Sequence, residues 1–361
     1  MAGVYISWPF CAQKCTYCNF ASGVFPRELE ASYADRLALE IGSSEWPFVP
    51  ETVYLGGGTP SQMDVSVLGQ LLAAVPGAPW AEATMEAAPG TFDSAKIAGW
   101  RLAGINRVSL GVQSFIDSEL RRTGRKHTAA VVAADVANLR AGGIDDFNID
   151  LIAGLAGQTA ESWDLSLDAA LALDPPHVSI YMLEVDEDSR LGLEILNNGG
   201  RYGARDIPDD EAIAAMYERA VERLAGQGIR RYEISNFARP ARESRHNLKY
   251  WRLEPYLGFG ADAHSFAFGE RWQNLEKAGE YAAAGTVKAS SSIANPSEEK
   301  FFVGLRLSEG IIPAAEEWAS HGAVIERFLA DGLLERDATH LRLTSRGILL
   351  SNEVFQEFLT A

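Results

Sequence analysis

The sequence predicts an α/β protein, a partial (β/α)6 barrel followed by a small α+β accessory region, and three observations carry that expectation. Short apolar segments alternate with helical ones at a period of about 30 to 40 residues, the pattern of parallel strands joined by crossover helices. Six such steps run in succession, fewer than the eight of a closed barrel. All three cysteines, Cys11, Cys15 and Cys18, lie within eight positions just after the first apolar segment, on the loop leaving its C-terminal end. Active sites of α/β barrels are built at that end.

Gly3 to Trp8 reads as a buried strand stopped by Pro9. Pro26 to Ser44 is helical, with Leu29, Tyr33, Leu37 and Ile41 on one face, and Thr52 to Leu55 forms a second strand ended by Gly56-Gly57-Gly58-Thr59-Pro60. The alternation continues through helix Asp64 to Ala74, strand Ala83 to Ala87, helix Ser94 to Ala103, strand Arg107 to Val112 and helix Thr128 to Ala141. Strand Asp146 to Ile152, helix Glu161 to Leu173 and strand His177 to Leu183 complete the six steps. Asn197 to Ile207 reads as a loop, and Pro208 opens a helix whose Asp209, Asp210 and Glu211 suit its dipole rather than a metal.

Tyr232 to Phe237 is a further strand, Ala238 to Phe268 an irregular aromatic-rich stretch, and the small polar segment Thr286 to Asn295 a linker. Beyond it, helices near Glu298 to Arg306 and Ala323 to Asp331 and strands Leu333 to Glu335 and His340 to Thr344 suggest a winged-helix-like unit with a structural or partner-docking role. The expected organisation is thus 1–235 for the barrel, 236–290 for the irregular extension and 291–361 for the accessory domain.

Thirty-two basic against 49 acidic residues leave a net charge of −17, which argues against nucleic-acid binding, since a backbone binder concentrates Lys and Arg. No signal-peptide pattern or long apolar run is present, so a cytoplasmic protein without membrane insertion is expected. A reducing compartment also keeps thiols free for metal.

Three clustered thiols suit a soft metal or an iron–sulfur cluster. Four-iron clusters usually take four cysteines, so here one iron would be left open to an external ligand. From spacing alone, a three-ligand zinc site or incidental buried thiols stay open. Near the other strand ends stand Glu86, Gln113, Arg125 and Asp150. Each could be a buried polar group satisfied by backbone, yet four at one barrel end fit a shared site. The glycines at 56–58 would let backbone approach a ligand.

Cys-x3-Cys-x2-Cys with Tyr17 before the last cysteine resembles the signature of radical S-adenosylmethionine (SAM) proteins. Gly56-Gly57-Gly58-Thr59-Pro60-Ser61, Arg107 to Phe115 and Asp150-Leu151-Ile152-Ala153-Gly154-Leu155 narrow the likeness to proteins similar to the oxygen-independent coproporphyrinogen III oxidase. The resemblance implies a [4Fe–4S] cluster on Cys11, Cys15 and Cys18. It implies SAM at Tyr5, Tyr17, Gly57, Gly58 and Glu86, with Thr59, Gln113, Arg125 and Asp150 lining the same cavity as further SAM contacts.

Two departures point to the oxidase-like branch, the HemW heme chaperones. Phe20 stands where the oxidase signature has a fourth cysteine, and the first strand begins almost at Met1, where the oxidase carries an extension. His246-Asn247-Leu248-Lys249-Tyr250-Trp251 then matches the His-Asn-x-x-Tyr-Trp motif of that branch. Chemically, an imidazole can ligate heme iron, aromatics can pack on a porphyrin, and Arg242, Arg245, Lys249 or Arg252 could meet propionates. His264 is a second candidate ligand; His127, His321 and His340 read as structural.

The resemblance therefore implies a heme chaperone that carries heme to apoproteins such as respiratory enzymes, with dimers expected from the family; no Ser-His-Asp triad is readable in the sequence. The alternative within the same likeness is an enzyme, the coproporphyrinogen oxidase, and no catalytic residue is assigned.

Overall fold

The computed structural model describes residues 2–359; Met1, Thr360 and Ala361, at the outer ends of the first and third expected segments, lie outside the described residues. The six expected parallel strands are present: β1 (Gly3–Trp8), β2 (Thr52–Gly57), β3 (Glu82–Ala87), β4 (Arg107–Gln113), β5 (Asp146–Ala153) and β6 (His177–Met182). They pair in chain order, β1 to β6, as a partial (β/α)6 barrel requires. Their apolar side chains are shielded by flanking helices. The helix Arg27–Gly42 buries Tyr33, Leu37 and Ile41, three of the four residues whose spacing predicts it. Asp209 caps the helix Asp210–Ala225 by accepting from the Ala212 N–H at 2.9 Å, the structural role expected for that acidic run.

The sheet extends beyond the expected strands on both sides. β7 (Arg230–Arg231) and β8 (Asn236–Ala238) lie antiparallel beyond β6, where one strand over Tyr232 to Phe237 was expected. On the other side, β9 (Tyr256–Phe259) pairs parallel with β1, Gly3 opposite Tyr256, followed by β10 (His264–Ala267), β11 (Glu270–Asn274) and β12 (Lys288–Ile293). The stretch expected to be irregular thus carries two strands and a helix, and the expected linker carries an edge strand. Every residue of β12 is exposed, so backbone pairing with β11 holds it and no apolar alternation marks it.

The C-terminal segment closes the open side of the barrel. Leu307 bridges Glu233, the Ser308 N–H donates to the Tyr232 carbonyl at 2.9 Å, and Glu299 pairs with Arg271 of β11. Helix Ala315–Ala330 and the hairpin β13 (Leu334–Arg336) and β14 (Leu341–Leu343) follow the expected winged-helix-like order. Phe301, Phe328 and Phe358 form the core of this part, with the His321 ring against Phe301 and Phe358.

Candidate functional site

The cysteine loop is tied at both ends by backbone. Cys11 N–H donates to the Gly23 carbonyl at 2.8 Å, and Thr16 N–H to that of Thr123 at 3.1 Å. Gly58 and Thr59, on the turn after β2, donate to the carbonyls of Trp8 and Phe10 at 2.8 and 2.9 Å. A Cβ at Gly58 would lie 2.7 Å from the Pro9 carbonyl carbon, so this position requires glycine for the close crossing of two loops. Gly57 has φ +105°, a left-handed conformation that also favours glycine.

Cys11, Cys15 and Cys18 are free, partly exposed thiols lining one cavity of about 560 Å³. That volume falls within the roughly 300–1,000 Å³ of small-molecule and cofactor sites. Tyr17, Gly57, Gly58, Thr59, Glu86, Gln113, Arg125 and Asp150 line the same cavity, so the structure brings together the residues expected there. Tyr5 lines an adjoining cleft of about 120 Å³ that shares Gly57, Glu86 and Phe20.

Each polar group has a physical setting. Glu86 accepts from Tyr54 Oη at 2.9 Å and the Gly57 N–H at 3.1 Å. Burial pushes its carboxyl up to about 7, against these two bonds, and the nearby charge of Asp150 adds to the rise. Asp150 accepts from Ser109 Oγ and Asn148 Nδ2, at 3.1 and 2.6 Å, and burial raises its carboxyl too. The ladder shifts register after Gly111, and Gln113 adopts φ +70°, which re-aims its side chain. Arg125 donates to Tyr17 Oη at 3.4 Å, its charge stands beside Cys15 and Cys18, and its Nε is buried without a partner. Burial raises the Cys11 thiol, with hydrogen bonds to Thr59 and Ser22 opposing the rise.

The heme-directed motif lies at the other end of the barrel, and the structure places His246 there as a buried floor residue. The short helix Arg245–Trp251 sits under the N-terminal strand ends. His246 is 0% exposed, its Nδ1 bonded to Thr52 Oγ1 at 2.9 Å and its Nε2 to Tyr250 Oη at 2.8 Å. Its ring stacks on Tyr54 at 5.3 Å, and burial drives its basicity down to about 3. A ring with both nitrogens engaged in the floor is closed to heme iron in this conformation.

Tyr250 packs edge-on against Tyr256 at 4.6 Å, so it too serves the floor. Lys249 is buried between Glu51 and Glu254, Arg252 pairs with Glu309, and Arg242 with Asp146, which leaves Arg245 as the motif-side cation without an ion pair among the described residues. Trp251 lies beneath the Arg306 guanidinium at 4.4 Å. His264 is exposed at the start of β10 and lines neither cavity; His127, buried, bonds to the Val112 carbonyl at 3.1 Å.

Sequence reasoning passed over Tyr54, Ser109 and Gly111 and, from the C-terminal segment, Arg306, Ser351 and Asn352, all of which line the larger cavity. Gly111 carried a readable signal, a glycine inside an apolar strand, which marks close approach of another group; in the structure a Cβ there would stand 3.1 Å from Gln113 Nε2 and 3.5 Å from Arg125 Nη2. Arg306 carried none, because its approach depends on the closure of the barrel side.

The donor set fits an iron–sulfur cluster. Three soft thiols face one cavity beside a permanent cation whose Nε is unpartnered. Among the described residues no three His, Cys, Asp or Glu side chains converge as they would on a single ion. A cluster asks otherwise, since it takes its thiolates on different irons.

Comparison with known proteins bears on the same residues. The family model "Radical SAM superfamily" matches residues 5–170, and "HemN C-terminal domain" matches 295–350. The chain is 34% identical to "Heme chaperone HemW" of Lactococcus lactis subsp. lactis, over 98% of this chain and 96% of that protein. It is 33% identical to the protein of that name from Bacillus subtilis, over 99% of each. The solved coproporphyrinogen III oxidase (HemN) from Escherichia coli, "a Radical SAM enzyme", superposes with a TM-score of 0.82 at 20% identity, covering 99% of this chain and 89% of that one, a likeness of fold. Full-length similarity, the three-cysteine loop and the shared fold agree: the chain belongs to the HemW family of the radical SAM superfamily, a family that implies a [4Fe–4S] cluster and SAM.

Proposed function

We propose that this protein is a heme chaperone that binds heme and passes it to apoproteins, holding a [4Fe–4S] cluster on Cys11, Cys15 and Cys18 and SAM in the larger cavity. The observation that carries this reading is the near full-length similarity to proteins named heme chaperone HemW. Phe20 at the position of the oxidase's fourth cysteine supports it against the oxidase. The cluster, when bound, supplies an iron open to the methionine part of SAM.

In this reading the chain's own groups receive that cofactor. Glu86 offers a carboxylate, fixed by Tyr54 and Gly57, to an ammonium group. Arg125 balances thiolate charge, Tyr17 holds Arg125 over the loop, and Thr59, Gln113 and Asp150 complete the polar wall. Tyr5 supports Glu86 from the adjoining cleft. Respiratory enzymes as recipients, a homodimer, a cytoplasmic setting and the segmentation 1–235, 236–290 and 291–361 belong to the same proposal. Among the described residues no helix is long and apolar enough to cross a membrane.

The test is heme titration of the anaerobically reconstituted protein, followed by its absorbance band, beside a coproporphyrinogen turnover assay. Stoichiometric heme uptake without decarboxylated product is expected. Turnover without stable heme binding would make this an oxidase instead.

A further inference from the structure

The larger cavity has a second half that the SAM assignments leave unused. It is lined by the apolar Ile152, Met182, Leu183 and Ile234, at the ends of β5 and β6 and just before β8, with Tyr181, Glu184 and Ser235 among them, and it receives one cation, Arg306, from the C-terminal segment. Apolar walls with a few placed polar groups are the usual makeup of a small-molecule site.

Arg306 is held but not satisfied. Its guanidinium lies over the Trp251 ring at 4.4 Å, which fixes its plane. Its nearest carboxylate is Glu233 Oε2, at 3.6 Å from Nη2, too far for a hydrogen bond. Arg306 Nε and Glu233 Oε2 are both buried without a hydrogen-bond partner. Its Nε is shut off from the cavity, but the Arg306 side chain keeps 26% exposure and its Nη groups make no hydrogen bond among the described residues, so the planar Nη edge can meet a carboxylate in a two-point contact.

We propose that Arg306 binds a propionate of the heme cargo, with the tetrapyrrole lying against the apolar half of the cavity. This rests on the heme-chaperone reading above. It places Trp251, the last residue of the His-Asn-x-x-Tyr-Trp motif, under the arginine that meets the cargo. The motif then serves heme through that stack, with His246 remaining in the floor.

The test compares binding of heme and of heme dimethyl ester, whose propionates are blocked, to the wild type, Arg306→Gln and Arg306→Lys, by titration of the heme absorbance band. The wild type is expected to prefer heme over the ester by about tenfold or more, the scale of one charge-assisted contact. Arg306→Gln should bind both at the level of the ester, and Arg306→Lys, which keeps the charge but loses the fork, should fall between. If Arg306→Gln does not fold, a full preference retained by Arg306→Lys overturns the two-point contact, and a reduced one supports it. An undiminished preference in Arg306→Gln, or no preference in the wild type, overturns the proposal while leaving heme binding intact. Failure of the wild type to bind either compound would instead bring down the chaperone reading itself.

Discussion

The two ends of the barrel are both rich in polar side chains, but they use them in opposite ways. At the floor, Glu82 accepts from Ser244 Oγ and from the N–H groups of Arg245 and His246, at 3.2, 2.8 and 2.9 Å. Arg107 answers the charges of Glu82 and Asp146, and Thr52 and Tyr250 occupy both nitrogens of His246. At the mouth, three thiols, a buried arginine with an idle Nε and a carboxyl raised by burial surround open space. Arg107 Nε and Nη2 and Asp146 Oδ1 at the floor also lack hydrogen-bond partners, so idle donors do not separate the two ends; what does is that the floor's polar groups face one another, whereas those at the mouth line open space that a ligand can fill.

Replacement at either end should therefore fail differently. Cys15→Ala should abolish the cluster, read as iron and sulfide per chain and as loss of its visible absorbance, with the protein still folded. A variant that retained a full cluster would remove Cys15 from the donor set.

At the floor the loss should be of stability. Glu82→Ala strands three donors and unbalances Arg107, so a cost of about 3–5 kcal/mol is expected in denaturant unfolding. A neutral result would show that the helix Arg245–Trp251 does not depend on this carboxylate. His246→Ala should cost about 2–3 kcal/mol through the cavity it leaves and the lost bonds to Thr52 and Tyr250, while the shape of the bound-heme spectrum stays unchanged. Below about pH 6.5 the unfolded chain takes a proton that the buried ring refuses, so this residue makes the wild type lose stability on acidification, a loss absent from the variant. A changed heme spectrum at unchanged stability would mean that the floor opens and His246 ligates iron.

How far the two ends were readable follows from how their contacts are made. The six strands and the cysteine loop are local patterns, apolar runs at a regular period and three thiols within eight consecutive residues, so the sequence displays them directly. The motif at His246 was visible, but its place was not. Its partner Thr52 is 194 residues away, and the ring also needs Gly3, where a Cβ would come 3.1 Å from Cε1. Residue types suited to heme and residue types suited to a polar floor are the same types. Arg306 was hidden for a related reason, since only the pairing of Leu307 with Glu233 turns it toward the cavity.

The last effect turns on a single proton at Glu86. Its carboxyl titrates near 7 in the ligand-free protein because burial, helped by Asp150, outweighs the bonds from Tyr54 and Gly57. An ammonium group brought to it favours the charged form, so SAM binding should expel the proton and lower that value. Below about pH 7 binding must first ionise the acid, and affinity should fall by about tenfold for each further pH unit. Affinity should level off above that range, and Glu86→Gln should flatten the profile while weakening SAM at neutral pH. Stability runs the other way: the ionised form is disfavoured in the fold, so the ligand-free wild type should lose stability as pH rises from about 4.5 through 7, by up to about 3 kcal/mol. Calorimetry in two buffers of different ionisation enthalpy would measure the proton released with SAM. Release that persists in Glu86→Gln would assign the titration to another group, and a flat wild-type profile would take the ammonium contact away from Glu86.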